Sequence, residues 1–275
     1  MLSRLFPRMK VPLAVAAAAL PLVLVVIALH GSSPGLSAPA SIAPAAQPTG
    51  SYAGLVSYGR DIIHDTPRYA GRYIRAGMSC EACHIDAGMK PHGGSFRGIY
   101  AKFPQWNRRA KRFIALQDRL AECFLYSMNG TPPAFTSKEM IALTAYIADA
   151  SKGAPVGTGF PGQGTIEFEP DSTPSVTRGQ AVYSARCTAC HGANGQGSAT
   201  YPPLWGPKSF NDGAGMHRIA LMSAFVRYNM PFGSPPDTLS KQEAYDVSAF
   251  VLSHPRPKFD KKRAIAFPSQ AAGTF

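Results

Sequence analysis

The chain has 275 residues, of which 45% are hydrophobic, 10% aromatic and 16% charged. This composition excludes a disordered protein, which would be poorer in apolar and richer in charged residues, and the length predicts about two domains. The formal net charge of +12 raises nucleic acid, anionic membranes and small anions as candidate partners.

The N-terminal segment 1–30 begins with basic residues and continues as an apolar run over 11–29. This pattern predicts an export signal, and both a cleaved peptide and a membrane anchor stay open: the run is just long enough to span a bilayer, but Pro12 and Pro21 weaken it as a helix. Residues 31–49 are predicted to form a Ser/Pro/Ala tether. Export predicts a periplasmic protein, soluble or tethered, and argues against a nucleic-acid partner.

The cysteines predict the cofactor. Four of the five lie in two Cys-X-X-Cys-His motifs, at 80–84 and 187–191. This spacing is the attachment signature of c-type haem, because two thiols one helical turn apart can bond to the porphyrin while the adjacent imidazole reaches the iron. The alternatives are a pair of Cys-X-X-Cys disulfides or one zinc site with four thiolates. We therefore predict two covalently bound haem c groups, held by Cys80, Cys83, His84, Cys187, Cys190 and His191.

The chain repeats itself after each motif. The distance from His84 to Cys123 and the distance from His191 to Met230 are both 39 residues. A turn-rich segment and a helix then follow in each half, and capping boxes at 136–139 and 240–243 mark the helix starts. The helices carry apolar residues at helical spacing, namely Met140, Leu143, Tyr146 and Ile147 in one and Ala244, Val247, Phe250 and Val251 in the other.

Each repeat resembles a class I cytochrome c domain, in which a short helix delivers the haem motif, a loop supplies the sixth iron ligand and a C-terminal helix packs across the haem. The resemblance implies an all-α fold of two tandem class I cytochrome c domains, over 50–151 and 177–275, joined by a Gly/Pro-rich linker over 152–176. The segment 58–63 corresponds to 179–184, which implies an insertion of about a dozen residues before the first motif.

The sixth ligand of the second haem is predicted to be Met230, which precedes a proline as in class I cytochromes. A thioether ligand raises the potential of the iron. Met216, Met222 and His217 are the alternatives, and the last two lie in or beside a predicted helix, where core packing explains them.

Cys123 occupies the equivalent position in the first domain and is the one cysteine outside the haem motifs. A thiolate ligand lowers the potential of the iron, so a haem held by His84 and Cys123 would suit chemistry at sulfur. Three alternatives remain open: a buried free thiol, an intermolecular disulfide, and Met128 as the true ligand.

Seven basic residues lie within the 27 residues upstream of Cys123. Guanidinium groups bind tetrahedral oxyanions through two parallel hydrogen bonds, so Arg119 and one of Arg108 and Arg109 are predicted to contact an anionic substrate. The run over 108–112 also fits a solvated helix face or a partner for haem propionates. The seven residues are Arg97, Lys102, Arg108, Arg109, Lys111, Arg112 and Arg119.

Several segments resemble the dihaem thiosulfate dehydrogenases, also called tetrathionate synthases, which can run as tetrathionate reductases. The resemblance implies His84 and Cys123 as ligands of the first haem and His191 and Met230 as ligands of the second. It further implies substrate contacts from Arg119, Ser127 and an arginine at 108 or 109. The segments are YGRDII (58–63), FPQW (103–106), DRLAECFLYSMNG (118–130), PPLWGPKSFNDGAGMHR (202–218), NMP (229–231) and HPRP (254–257).

The resemblance implies an enzyme that joins two thiosulfates into tetrathionate, or runs the reverse reaction. Electrons would pass from the first haem to the second and then to an external c-type cytochrome. Two alternatives remain: a dihaem electron carrier without a substrate of its own, and the cysteine-ligated haem subunit of the multienzyme sulfur-oxidising system, which conjugates thiosulfate onto a carrier protein.

Overall fold

The computed structural model describes residues 50–265. The predicted export segment 1–30 and the tether 31–49 lie outside the described residues, as does the end of the second domain after 265. The described residues belong to one compact unit.

Helices dominate this unit, together with one small hairpin. The α-helices are α1 (Tyr52–His64), α2 (Thr66–Ala70), α3 (Leu116–Glu122), α4 (Lys138–Asp149), α5 (Val176–Arg186), α6 (Thr188–His191), α7 (Ile219–Asn229), α8 (Lys241–Ser253) and α9 (Lys262–Ile265). Short 3-10 turns cover Gly71–Tyr73, Cys80–Ala82, Tyr100–Lys102 and Gly215–His217, and a π-helical turn covers Cys123–Ser127. The strands are β1 (Gln105–Asn107) and β2 (Arg112–Ile114).

The same helix crossing organises both halves. In the first half α1 packs on α4, and a Cβ added at Gly59 would lie 2.2 Å from the carbonyl oxygen of Ala142. In the second half α5 packs on α8, and a Cβ added at Gly179 would lie 1.9 Å from the carbonyl oxygen of Asp246. Only glycine lets the backbones approach this closely, so the repeat of this contact confirms the predicted internal repeat.

The helix starts test the predicted capping boxes. Ser240 caps α8 as predicted, and its hydroxyl accepts the backbone N–H of Glu243 at 3.2 Å. The prediction for α4 was wrong by one residue, because the cap is Ser137 rather than Thr136. Glu139 does not return to the cap, since its carboxylate is 2% exposed and lies 2.9 Å from the guanidinium of Arg72.

The strands form a hairpin that the all-α prediction did not contain. β1 and β2 pair antiparallel, with Trp106 opposite Phe113, and the two exposed rings meet edge to face. The basic run 108–112 forms the turn of this hairpin and the start of β2, so its interpretation as a helix face was wrong. Lys111 adopts a φ of 52° in the turn, which a helix would not allow.

The predicted linker 152–176 packs on both domains rather than bridging them loosely. Gln163 donates to the carbonyl of Arg97 at 2.8 Å, and the carbonyl of Gly162 accepts the N–H of His92 at 2.7 Å. Further along, the carbonyl of Phe168 accepts the hydroxyl of Tyr245 at 2.8 Å. The linker therefore stabilises both domains as well as connecting them.

One hydrophobic core runs through both domains, and Tyr183, Trp205 and Phe210 of the second domain belong to the same cluster as the core of the first. A backbone hydrogen bond from Gly77 to the carbonyl of Lys208, at 2.7 Å, joins the domains directly. Within residues 50–265 no helix is both long enough and apolar enough to cross a membrane.

Candidate haem sites and active site

The first haem motif is held by the start of α2. The hydroxyl of Thr66, fully buried, accepts the N–H of Cys80 at 2.9 Å and lies 3.3 Å from its sulfur. Burial raises the pKa of the Cys80 thiol to about 11 and that of Cys83 to about 12. Both sulfurs therefore stay uncharged until they react.

His84 is oriented as an iron ligand requires. Its Nδ1–H donates to the carbonyl of Gly94 at 2.6 Å, and its ring stacks on Phe96 with centroids 4.4 Å apart. Burial lowers the pKa of His84 to about 4, against the opposing effect of the Gly94 carbonyl, so the imidazole is neutral. The hydrogen bond at Nδ1 fixes the tautomer and leaves Nε2 as the free donor atom for a metal.

The second motif repeats this arrangement at the junction of α5 and α6. The Nδ1–H of His191 donates to the carbonyl of Pro202 at 3.0 Å, and burial lowers the pKa of the ring. Burial also raises the pKa of the Cys187 thiol to about 11.

These donor sets fit two haem c groups. Each half supplies two thiols one helical turn apart and a neutral imidazole whose Nε2 is free. No disulfide joins any of the five cysteines, so the Cys-X-X-Cys disulfide alternative is not borne out. Over the described range 50–265 no three or more His, Cys, Asp and Glu side chains cluster as a metal site, which removes the single-zinc alternative as well.

Cys123 opens the π-helical turn that directly follows α3. The wider turn is closed by a hydrogen bond from the N–H of Met128 to the carbonyl of Cys123 at 3.0 Å. Such turns are rare and occur often at functional sites. Besides burial, interaction with the Cys123 sulfur raises the pKa values of Cys80 and Cys83, so the three sulfurs lie close enough to interact.

Arg119 lies one helical turn before Cys123. Its Nη1 is 3.4 Å from the Cys123 sulfur and 3.5 Å from a carboxylate oxygen of Glu122, and 47% of its side chain is exposed. Interaction with the Cys123 sulfur, and then with the Glu122 carboxylate, raises the pKa of Arg119, so the guanidinium stays protonated beside the sulfur. An anion can therefore approach the free part of the guanidinium and the sulfur together.

Met128, the competing ligand, is 2% exposed and belongs to the hydrophobic core. Its carbonyl accepts the N–H groups of Arg75 and Ala76 at 3.1 and 3.0 Å. Met128 is therefore anchored in the core of the first domain through both its backbone and its side chain.

Arg108, Arg109 and Arg112, the arginines of the hairpin, have different surroundings. Arg109 lies over the ring of Tyr126 at 3.9 Å and donates to the carbonyl of Gly213 at 2.9 Å, while Arg108 is exposed in the hairpin turn. Tyr126 also raises the pKa of Arg119. The same tyrosine therefore contacts Arg109 and interacts with the arginine beside Cys123. Arg112 pairs with Asp118 at 3.2 Å and thus stabilises the hairpin against α3.

Ser127 is the last residue of the π-helical turn and is half-buried. Two further residues at this turn were not predicted. Glu122 holds Arg119 and accepts the side-chain amide of Asn107 at 3.0 Å, and the fully buried Asn211 reaches the turn from the second domain. The signal for Asn211 was its place in the segment 202–218.

Met230 follows α7, and its N–H donates to the carbonyl of Val226 at 2.8 Å. Its side chain is half-buried, whereas Met222 is buried in the core as predicted. Met216 and His217 lie in the 3-10 turn before α7, and Met216 packs against the core.

Comparison with known proteins identifies the family. The family model of the SoxA/TsdA cytochrome c domain matches residues 69–156, and the cytochrome c model matches 176–255. Thiosulfate dehydrogenase of Allochromatium vinosum is 39% identical over 246 residues, covering 84% of this chain and 89% of the relative. Thiosulfate dehydrogenase of Stutzerimonas stutzeri is 40% identical over 217 residues, covering 77% and 70%.

A solved structure of a thiosulfate dehydrogenase is also similar to this chain. Thiosulfate dehydrogenase (TsdBA) of Marichromatium purpuratum superposes with a TM-score of 0.72 at 32% identity, over 83% of this chain. The chain spans 52% of that longer protein. Two cytochrome c domains, each with its own Cys-X-X-Cys-His motif, carry two covalent haem c groups. The chain therefore belongs to the thiosulfate dehydrogenase family of dihaem c-type cytochromes.

Proposed function

We propose that this protein oxidises thiosulfate in the periplasm, joins two molecules into tetrathionate, and passes the electrons to an external c-type cytochrome. The observation that carries the proposal is the 3.4 Å approach of the Arg119 guanidinium to the Cys123 sulfur, which unites an anion-binding group with a nucleophile. The relatives named above are thiosulfate dehydrogenases, which supports this substrate.

The first haem would be attached by Cys80 and Cys83 and ligated by His84 and Cys123. The neutral His84 ring and the shared neighbourhood of the three sulfurs support this assignment. The second haem would be attached by the cysteines of the second motif and ligated by His191 and Met230. When bound, the haems would supply one-electron redox chemistry between the substrate and the acceptor cytochrome, and the thioether of Met230 would raise the potential of the second haem above that of the first.

The protein side chains would bind and orient the substrate. Thiosulfate is a dianion with a tetrahedral sulfonate end, and Arg119 offers that end a protonated guanidinium. Glu122 holds one side of the guanidinium and so fixes its direction. Arg109 would add positive charge from across Tyr126, which favours it over Arg108 as the second contact. Ser127, at the end of the same turn, would donate a hydroxyl hydrogen bond.

Cys123 would carry the covalent step. Its thiolate would bond to the terminal sulfur of thiosulfate and give Cys123–S–S–SO₃⁻, a two-electron oxidation whose electrons would go one at a time to two molecules of the external cytochrome. The terminal sulfur of a second thiosulfate then attacks that same sulfur of the adduct, forms tetrathionate and expels the Cys123 thiolate. The enzyme returns to its starting state, and the reverse sequence reduces tetrathionate.

An assay of the purified, haem-loaded full chain tests the proposal. We expect thiosulfate-dependent reduction of a one-electron acceptor with tetrathionate as product, and we expect Cys123→Ala to lose this activity while keeping both haems. Met128→Leu is the matched control and should keep the activity, because Met128 is a core residue.

Two results would contradict the proposal. Full turnover by Cys123→Ala would remove the cysteine from the chemistry. No tetrathionate in either direction from the wild-type chain would leave an electron carrier, or a subunit that needs a partner protein. Fractionation of cells that express the full chain checks the periplasmic location.

A further inference from the structure

The π-helical turn that carries Cys123 ends in carbonyl groups that need partners, because the last turn of a helix has no N–H groups ahead of it. The carbonyl of Cys123 accepts the N–H of Met128 at 3.0 Å. The carbonyl of Phe124 accepts the N–H of Gly130 at 2.7 Å. The first two carbonyls of the turn are therefore satisfied within the first domain.

The next two carbonyls are satisfied by a single residue of the second domain. The side-chain amide of Asn211 donates to the carbonyl of Leu125 at 2.8 Å. The backbone N–H of Asn211 donates to the carbonyl of Tyr126 at 3.3 Å. Asn211 therefore acts as a cap for the π-helical turn, across the boundary between the two domains.

Every polar group of the Asn211 side chain has a hydrogen-bond partner. It is 0% exposed, its amide group also lies 3.3 Å from the side-chain oxygen of Asn129, and its own oxygen accepts the N–H of Gly213 at 2.9 Å. An asparagine amide offers two N–H donors and one oxygen acceptor, and all three functions are used here. Neither leucine nor aspartate of similar size can reproduce this set.

The loop around Asn211 also presses directly on the turn. A Cβ added at Gly213 would lie 2.8 Å from Cδ1 of Tyr126, so the loop backbone packs against that ring. Arg109 covers the same ring and donates to the carbonyl of Gly213, which ties the hairpin to this contact.

We propose that Asn211 is a positioning residue for Cys123, so that the second domain completes the reactive site of the first. Asn211 fixes the peptide groups of Leu125 and Tyr126, two and three residues after Cys123, and thereby holds the π-helical register. π turns are rare because the α-helical register is favoured. Without the side-chain amide of Asn211 the carbonyl of Leu125 loses its donor, and the turn is free to close to an α-helical register, which redirects the Cys123 side chain. This inference rests on the proposed role of Cys123.

The test compares Asn211→Leu with Asn229→Leu in the haem-loaded full chain. Asn229 is the matched control because it is also a buried asparagine at the domain boundary, 1% exposed, whose amide donates to the carbonyl of His92 at 3.2 Å. Both variants lose an interdomain hydrogen bond, but only Asn211 contacts the turn of Cys123.

Three measurements report on the position of the Cys123 sulfur. Cys123 is the one thiol outside the haem motifs, so its alkylation rate by iodoacetamide can be measured by mass spectrometry. The spectrum and potential of the first haem report its thiolate ligand, and steady-state kinetics separate kcat from KM. We expect Asn211→Leu to change the alkylation rate and the first-haem spectrum and to lower kcat by up to about 100-fold with little change in KM. Asn229→Leu should leave the alkylation rate and the first-haem spectrum unchanged.

Equal changes of the alkylation rate and the first-haem spectrum in both variants would overturn the inference, because Asn211 would then act only through general docking of the domains. A wild-type alkylation rate and first-haem spectrum in Asn211→Leu would also overturn it. If this variant fails to fold, Asn211→Ala makes the same comparison with a smaller side chain. A wild-type chain without thiosulfate oxidation would refute the proposed function, whereas the alkylation comparison would still decide the role of Asn211.

Discussion

Arg119 and Arg112 show how two arginines of one basic cluster can have different roles. Arg119 contacts the Cys123 sulfur and keeps an exposed side, whereas Arg112 is paired with Asp118 and stabilises the hairpin. The charge and the forked geometry of a guanidinium both contribute to binding a sulfonate, and lysine keeps only the charge.

We therefore expect Arg119→Lys to lower kcat/KM for thiosulfate about 10- to 100-fold, which corresponds to the loss of one charge-assisted hydrogen bond. Steady-state kinetics over a range of thiosulfate concentrations measure this effect. The control, Arg112→Lys, should change kcat/KM little. Equal kinetics of Arg119→Lys and the wild type would show that substrate binds away from the Cys123 sulfur.

At the scale of single residues, spacing in the sequence predicts the candidate haem ligands and the candidate nucleophile. Each haem motif can be recognised within five residues. Cys123 and Met230 are found by counting 39 residues from the histidine of each motif. The contacts of Glu122, Tyr126 and Asn211 could not be predicted, because each depends on segments that meet only in the folded protein. Asn211 lies 88 residues after Cys123, and no local pattern connects the two.

At the scale of secondary-structure elements, each domain depends on one glycine at a helix crossing. Gly179 lets α5 approach the backbone of α8, and a methyl group there would overlap the carbonyl oxygen of Asp246 at 1.9 Å. Gly59 has the same role between α1 and α4, with a distance of 2.2 Å to the carbonyl oxygen of Ala142.

Alanine at Gly59 or at Gly179 is expected to lower the free energy of unfolding by about 1–3 kcal/mol, because the helices must move apart. Denaturant titration of the haem-loaded protein measures the change. Gly71→Ala is the control: Gly71 has a φ of −56°, and an added Cβ there meets nothing within 4 Å. Equal stability of all three variants would show that the crossings tolerate a side chain.

Elements with a strong local signal were predicted well, and those determined by distant contacts were not. Ser240 with Glu243 formed the predicted cap, because both groups belong to the same turn. Ser137 rather than Thr136 caps α4, and the predicted partner in the cap, Glu139, binds Arg72 from another part of the chain instead. The hairpin and the π-helical turn were missed, since three-residue strands and one wide turn leave no periodic pattern.

At the scale of the whole molecule, the domains share one hydrophobic core and several hydrogen bonds. Asn211 and Asn229 each donate from the second domain to a carbonyl of the first. These contacts couple the two domains, although the sequence repeat alone would be consistent with two independent units.

Thermal unfolding of the haem-loaded protein is therefore expected to show one cooperative transition, followed by calorimetry and by the absorbance of both haems. The two haems should lose their native spectra at the same temperature. Two separate transitions, with one haem spectrum lost well before the other, would contradict this coupling.

The packed linker bears on how such a tandem can be divided or recombined. Gln163 and Gly162 bond to the first domain, and a Cβ added at Gly98 would lie 2.5 Å from Phe160. A gene fragment that ends at Ser151, where the helical part of the first domain finishes, would expose this surface to water. Exchange of whole domains between relatives should therefore join the chains after Gly164, so that the first domain retains the segment that covers it.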